Sequence, residues 1–343
     1  MTKSHSAARR DDTVSKLTPE AQPQDGVLAV LIRSGIVESR HYGRLAVLRE
    51  TNCAEPLLSV GNIDAPFILR SVFKPIQALA MTRLGLTLID QDLALSLSSH
   101  SGEKFHQDRV RRLLVNFGFH ENDLCNPADL PLGLTLGIPE MHDTQPARIA
   151  HNCSGKHAAM LACCAINGWS KIDYLKPDHP LQTAIAAITT DIAREEPARW
   201  AVDGCGAPVP ALTPRAVARI YSSFACGAEG TTERQIFEAM RAWPEIVAGV
   251  GRNSTTVMRA IPGIIVKDGA EGVVGLAFSD GTAAALKVSD GAQRACRVVI
   301  EYLVHRFTRY KNVRLANEPA IGGAEIVGDL RARVGSGELE GDR

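Results

Sequence analysis

Hydrophobic and polar positions alternate in two regimes along this chain. Residues 27–32, 44–48 and 56–61 are short apolar or alternating runs broken by turn residues, a pattern that predicts a β-meander. A second strand set is predicted at 263–266, 272–278 and 282–288, with Asp280-Gly281 as its hairpin turn and Asp268-Gly269 as the turn before it. Between these sets the period lengthens to 3.6 residues. Helices are predicted over 75–84, 93–99, 104–117, 156–166, 181–193, 213–225 and 232–242, and a last one over 292–307. Strands at both ends with helices between them imply one sheet built from both terminal regions, about 27–61 and 263–307, with a helical region of about 75–250 inserted into it. The fold class predicted is therefore α+β. Residues 1–25 read as a polar arm, 26–330 as one catalytic domain and 331–343 as a polar tail.

Composition sharpens this picture by exclusion. The chain of 343 residues is 45% apolar and 22% charged, the mix of an ordinary globular protein large enough to bury a core without staples. Thirty-eight basic side chains balance 38 acidic ones, which removes the simplest case for a nucleic-acid partner or an anionic membrane surface. No apolar run approaches the roughly 18 residues that span a bilayer. The start of the chain has no hydrophobic centre of the kind a secretory signal needs, so a cytoplasmic location is expected. Eight cysteines are too sparse for a disulfide scaffold. Six of them (Cys53, Cys125, Cys163, Cys164, Cys226, Cys296) stand in apolar or loop contexts and read as small buried hydrophobes, whereas Cys153 and Cys205 stand among polar and glycine residues.

Chemistry concentrates in a few segments. In Arg70-Ser71-Val72-Phe73-Lys74-Pro75 a Ser-x-x-Lys falls where a loop turns into a helix, so the Lys74 amine can reach the Ser71 hydroxyl from one face of the first turn. With 19 serines and 10 lysines in the chain, such a pair is also close to what chance supplies, and Ser71 reads equally as an N-cap. The run Ser96-Leu97-Ser98-Ser99-His100-Ser101-Gly102-Glu103 carries more hydroxyls than one helix cap requires, so some are expected to face a polar pocket. Thiols and imidazoles in His151-Asn152-Cys153-Ser154-Gly155-Lys156-His157 and in Asp203-Gly204-Cys205 form a soft-metal inventory, although neither segment has zinc-finger spacing. Lys267, ending an apolar strand, is either a solvated edge residue or a group aimed into a site.

In this order the segments resemble the bacterial asparaginase II family, the Rhizobium etli type of L-asparaginase. The resemblance rests on Arg70-Ser71-x-x-Lys74-Pro75, Ser99-His100-Ser101-Gly102-Glu103, Asn152-Cys153-Ser154-Gly155-Lys156-His157, Asp203-Gly204-Cys205, Pro244-Glu245-x-Val247-Ala248-Gly249 and Met258-Arg259-Ala260 leading to Lys267, and spans about residues 26–330. It implies a serine β-lactamase/glutaminase-like fold and hydrolysis of L-asparagine to L-aspartate and ammonia by two Ser-Lys pairs, Ser71 with Lys74 and Ser99 with Lys267. It also implies a zinc ion on Cys153, Lys156 and Cys205, with Asp203 and His157 around it. Helix-start geometry favours Ser71 as the nucleophile. Arg70 or Arg259 would hold the substrate carboxylate and Asp203 or Glu103 its ammonium, with His100 also counted to the substrate site; a homodimer is expected. The segment Gly251-Arg252-Asn253-Ser254-Thr255-Thr256 departs from the family pattern, which has an aromatic residue and a cysteine about where Asn253 and Ser254 stand. Two rival readings are a serine glutaminase or other amidase or esterase of the β-lactamase fold, and a zinc-dependent binding protein without turnover.

Overall fold

The computed structural model of the protein describes residues 25–49, 55–136 and 144–334. Cys53, the arm before residue 25 and the tail from residue 335 lie outside them. Eleven strands are seen among the described residues: β1 (Gly26–Arg33), β2 (Ile36–Arg49), β3 (Leu58–Val60), β4 (Phe67–Ile68), β5 (Arg199–Val202), β6 (Pro208–Leu212), β7 (Ile264–Gly269), β8 (Val273–Phe278), β9 (Thr282–Val288), β10 (Pro319–Gly322) and β11 (Glu325–Ala332). The helices are α1 (Lys74–Arg83), α2 (Asp90–Ser96), α3 (Lys104–Asn116), α4 (Ser154–Asn167), α5 (Pro180–Ala193), α6 (Pro214–Cys226), α7 (Thr232–Ala242), α8 (Pro244–Val247), α9 (Asn253–Ala260) and α10 (Gln293–Phe307).

The main sheet is antiparallel in the order β10-β11-β1-β2-β9-β8-β7, with β3 also on β2. Both ends of the chain thus enter one sheet, because β2 pairs with β9 from Gly43 opposite Val288 to Arg49 opposite Thr282. The α+β class predicted from the two strand sets is the one observed. Every residue of β8 is buried, so that strand shows no alternation; α6 packs on β8, β9 and β2, while α10 packs on β9, β1 and β11. Gly275 of β8 lets α6 approach: a side chain there would start 2.5 Å from the Tyr221 ring.

Two sets of strands were not visible in the pattern, nor were the short helices α8 and α9. Strands β10 and β11 extend the sheet beyond β1, and Arg331 and Ala332, counted to the polar tail, pair with Val30 and Ala29. Strands β4, β6 and β5 form a separate three-stranded sheet, in which Pro208 and Pro210 hid the strand character of β6. A further difference concerns Asp268 and Gly269, which close β7 rather than form a turn; the turn follows at residues 270–272.

Helix α1 runs through the middle of the helical region against α4, α5 and α7. Eight of its ten residues are buried, Lys74 and Gln77 among them. A lysine in such a place needs acceptors around it.

Candidate active site

Just before α1, a 3-10 turn over Arg70–Phe73 carries Ser71. Arg70 takes φ +48°, a left-handed conformation that costs a non-glycine residue free energy and recurs at functional turns. The turn is held from two sides. The Tyr221 hydroxyl of α6 donates to the Val72 carbonyl at 3.0 Å, and Gly269 at the end of β7 lies so close that a Cβ there would be 3.2 Å from the Ser71 nitrogen. Neither Ser71 nor its neighbours act as a side-chain cap, so the N-cap reading does not apply.

The hydroxyl-rich run forms the buried connection between α2 and α3. Ser99 and Ser101 donate their backbone N–H groups to Val247 and Ala248 at 2.9 and 2.7 Å, and His100 donates to the Asn152 carbonyl at 3.1 Å. Most of its side chains serve the backbone: Ser96 bonds Leu93, Ser98 bonds Leu95 and Ser101 bonds Ala248. Ser99 alone of the four faces the lysines. Its Oγ lies 2.8 Å from Lys74 Nζ and 2.8 Å from Lys267 Nζ.

Lys74 also donates to the carbonyls of Ser98 at 2.7 Å and Asn152 at 3.4 Å. Three acceptors match the three N–H groups of an ammonium. Among the described residues Lys74 makes no hydrogen bond to Ser71; it carries its amine past the turn to Ser99. Lys267 has a second partner in its neighbour's carbonyl, Asp268 O at 2.8 Å. Burial pulls the Lys267 amine down to about 7, Asp268 works against that, and Lys74 and Arg252 add to it. A neutral amine can accept the Ser99 proton, so the geometry places a hydroxyl between two amines, one of them poised near neutrality.

The residues expected to hold substrate separate into two groups. Arg70 and Asp203 meet beside Ser71, Nε to Oδ1 at 2.7 Å, both partly accessible. Arg259 is elsewhere, paired with Glu245 on an exposed face through Nε to Oε1 at 2.8 Å. Glu103 braces a neighbouring loop by accepting from the Val250 N–H at 3.0 Å. His100 is fully buried with both ring nitrogens engaged: Nδ1 accepts from Gly102 N at 3.1 Å, which fixes Nε2–H as donor to Ser154 Oγ at 3.0 Å. Burial, then the neighbouring His106, Lys74, His151 and Arg252, hold its pKa well below the ordinary histidine value. It is a bracket between the Ser99 run and α4, with no nitrogen left for a substrate. Asp268, Arg252 and Ser254 were missed because Asp-Gly reads as a turn.

A cavity of about 500 Å³ lined by Thr82, Asp90, Gln235, Glu238 and Trp243 opens at the far end of α1 and contains none of these groups.

Residues 29–336 match the family model described as L-asparaginase II. The chain belongs to the L-asparaginase II family. It is accordingly a hydrolase that acts on amides. No curated protein matches the chain. Solved structures with a loose likeness to this asparaginase II member include Mglu in its native form, with 13% identity over 82% of this chain and 67% of that one at a TM-score of 0.43. Others are a putative beta-lactamase from Bacteroides dorei DSM 17855, with 13% identity over 76% and 93% at 0.42, and the Bacillus subtilis glutaminase YbgJ in covalent complex with 5-oxo-L-norleucine, with 12% identity over 78% and 89% at 0.34. Likenesses this loose carry no argument about activity.

The thiol loops of this asparaginase II member close over one buried point. Cys153 at the start of α4, Lys156 one turn on, and Cys205 after β5 are all buried, with Lys156 Nζ 3.0 Å from Cys205 Sγ. The two thiols perturb each other: the contact with Cys153, helped by Lys156 and His157 against the effect of burial, pulls Cys205 down, while Cys153 is pushed up. Burial works against the charge on Lys156, and the two cysteines outweigh it and raise its pKa. His157 is held through Nδ1, which lies 2.8 Å from the Tyr174 hydroxyl, and that hydroxyl in turn accepts from Cys125 N at 2.9 Å. The remaining Nε2 is buried beside the Cys205 thiol. Among the described residues no three His, Cys, Asp or Glu side chains converge as a metal cluster. The two thiols with the lysine amine nevertheless supply soft sulfur and nitrogen donors, a set that fits zinc and leaves a fourth position open.

Proposed function

We propose that the protein is an L-asparaginase, hydrolysing the side-chain amide of L-asparagine to L-aspartate and ammonia through a serine acyl-enzyme. The observation that carries this reading is the Ser99 hydroxyl held 2.8 Å from both Lys74 and Lys267, next to the Ser71 turn, in a member of the asparaginase II family. Ser71 is the nucleophile because it is half-buried and open to substrate, whereas Ser99 is only 3% exposed. Ser71 Oγ bonds to the amide carbon and loses its proton to Lys74 once Lys74 has passed one through Ser99 to neutral Lys267. Proton return along the same path lets the C–N bond break with departure of ammonia. Water then attacks the acyl-serine, its proton taken by the same network, and aspartate leaves. The pair Arg70 and Asp203 offers a guanidinium and a carboxylate beside Ser71 for the α-carboxylate and α-ammonium of the substrate.

Cys153, Lys156 and Cys205 would hold the zinc of this proposal, the two thiolates balancing its charge, and the ion would supply a fixed anchor for the two loops beside the pocket. Lys156, protonated in the metal-free site, gives up its proton on binding the ion, so metal affinity rises with pH.

Ammonia release from L-asparagine and L-glutamine by the wild-type protein and Ser71→Ala tests the reading. Turnover of asparagine, lost in the variant, is expected, with a preference over glutamine of the size one methylene allows, about 10- to 200-fold. Ammonia from neither amide, with or without added zinc, overturns it; faster release from glutamine makes the protein a glutaminase.

A further inference from the structure

The proton path leaves unused the partly buried ion pair at the end of β7. Asp268 directly follows Lys267, and its carboxylate accepts from Arg252 Nη2 at 2.7 Å and from Ser254 Oγ at 2.7 Å. Arg252 and Ser254 flank the first residue of α9, so the pair ties that helix to the strand that carries Lys267. The Arg252 side chain is 11% exposed, and its Nη1 is buried with no hydrogen-bond partner. An orphaned N–H on a buried cation costs free energy, and such a pair is poor evidence of stabilisation. Violations of this kind concentrate where a charge serves chemistry.

The charges around Lys267 show what the pair does. Asp268 is the anion nearest it in sequence and favours its protonated form, as Cys153 does more weakly; Lys74 and Arg252 oppose it. Burial pushes the Asp268 carboxyl up, but Arg252, Lys267 and Ser254 outweigh that and hold it below the ordinary carboxylate range. The carboxylate is therefore ionised, and although it leaves the opposite face of β7 from the Lys267 side chain, its field favours a charged amine one residue away, a field that the Arg252 cation balances. We propose that Arg252 is a positioning residue: by claiming the Asp268 carboxylate together with Ser254, it leaves Lys267 free to meet Ser99 as a neutral amine. The contacts of Lys267 are then those to Ser99 Oγ and the Asp268 carbonyl, both at 2.8 Å.

This inference rests on the reading of Lys267 as the proton acceptor, and one set of pH profiles separates the two. The kcat/KM for asparagine is measured against pH for the wild type, Arg252→Gln, Ser254→Ala and the double variant Arg252→Gln/Asp268→Asn. In Arg252→Gln the acid limb moves up by at least one pH unit, so that activity falls about tenfold at neutral pH and recovers in alkaline buffer. Removing the carboxylate as well brings the limb back down. Ser254→Ala, the mildest change, moves it in the same upward direction by two- to threefold in activity on the acid side, and decides the matter if Arg252→Gln does not fold. A loss that is equal at every pH, or a limb that Asp268→Asn fails to restore, overturns the role of Arg252. A wild-type profile with no acid limb near neutrality removes Lys267 from the reaction, and the reading beneath this one falls first.

Discussion

A single hydroxyl, that of Ser99, lies between two amines, and single substitutions should resolve the parts of the proposed reaction. Ser71→Ala is expected to abolish acyl-enzyme formation, whereas Ser99→Ala, which breaks the path between Lys74 and Lys267, is expected to slow turnover by about 10²- to 10⁴-fold. Mass spectrometry of the quenched reaction checks the difference, because the acyl group should still be found on Ser71 in the Ser99 variant. Buried histidine sets a second residue-scale expectation. Burial holds His106 at about 4, below the ordinary histidine value of 6.5. The unfolded chain therefore binds a proton that the folded chain refuses between those values, and stability falls as pH drops through that window, by roughly 3 kcal/mol at its lower end. Urea unfolding at several pH values should show that slope, and His106→Gln should reduce it by one proton's share, the buried His100 and His157 keeping theirs.

At the scale of elements, function depends on how closely α6 is pressed onto the sheet. Gly275 grants that approach, and the Tyr221 ring it admits carries the hydroxyl that holds Val72 beside Ser71. Gly275→Ala should therefore lower stability by about 1–3 kcal/mol and reduce kcat as well, since the ring must shift. Tyr221→Phe keeps the packing and loses the hydrogen bond, so it should affect kcat with a smaller change in melting temperature. Equal effects of both on kcat and melting temperature would show that the turn does not depend on this contact. In the same way His100, stacked on His106 with ring centroids 4.9 Å apart, ties α3 and α4 to the Ser99 run.

Over the whole molecule, the closing strands matter more than their polar sequence suggests. β11 pairs with β1 from Ala29 opposite Ala332 to Arg33 opposite Gly328, and Leu330 is buried. A chain ending before β10 would leave β1 as an open edge over an apolar layer. Such a truncation is expected to melt lower and to self-associate, which differential scanning fluorimetry and light scattering would record. The thiol site gives another whole-molecule readout. If zinc binds Cys153, Lys156 and Cys205, it links the start of α4 to the loop after β5, so a chelator should lower the melting temperature of the wild type and leave Lys156→Ala unchanged. No helix among the described residues is long and apolar enough to cross a membrane.

Sequence alone determined the elements whose signal is local. The 3.6-residue periods of α1, α3, α5, α6 and α7 and the strand runs of β1, β8 and β9 follow from which side chains can share a buried face, and their placement at both ends of the chain already implied one sheet. Each of Ser71, Lys74, Ser99, Lys267, Cys153, Lys156 and Cys205 could be singled out, since hydroxyls, amines and thiols in glycine-containing turns are chemically conspicuous. Their partners were legible only in part: the family resemblance paired Ser99 with Lys267, and the two lie 2.8 Å apart. Three-residue spacing suggested that Lys74 serves Ser71, but its amine is hydrogen-bonded to Ser99, which the Val247 and Ala248 carbonyls hold in reach. His100, Glu103 and Arg259 are near active-site motifs in sequence and are occupied with brackets and surface pairs in space. Asp268 read as a turn and proved to be a partly buried strand residue paired with Arg252. Such choices depend on desolvation and on charges brought together from distant segments, and neither quantity exists until the chain has folded.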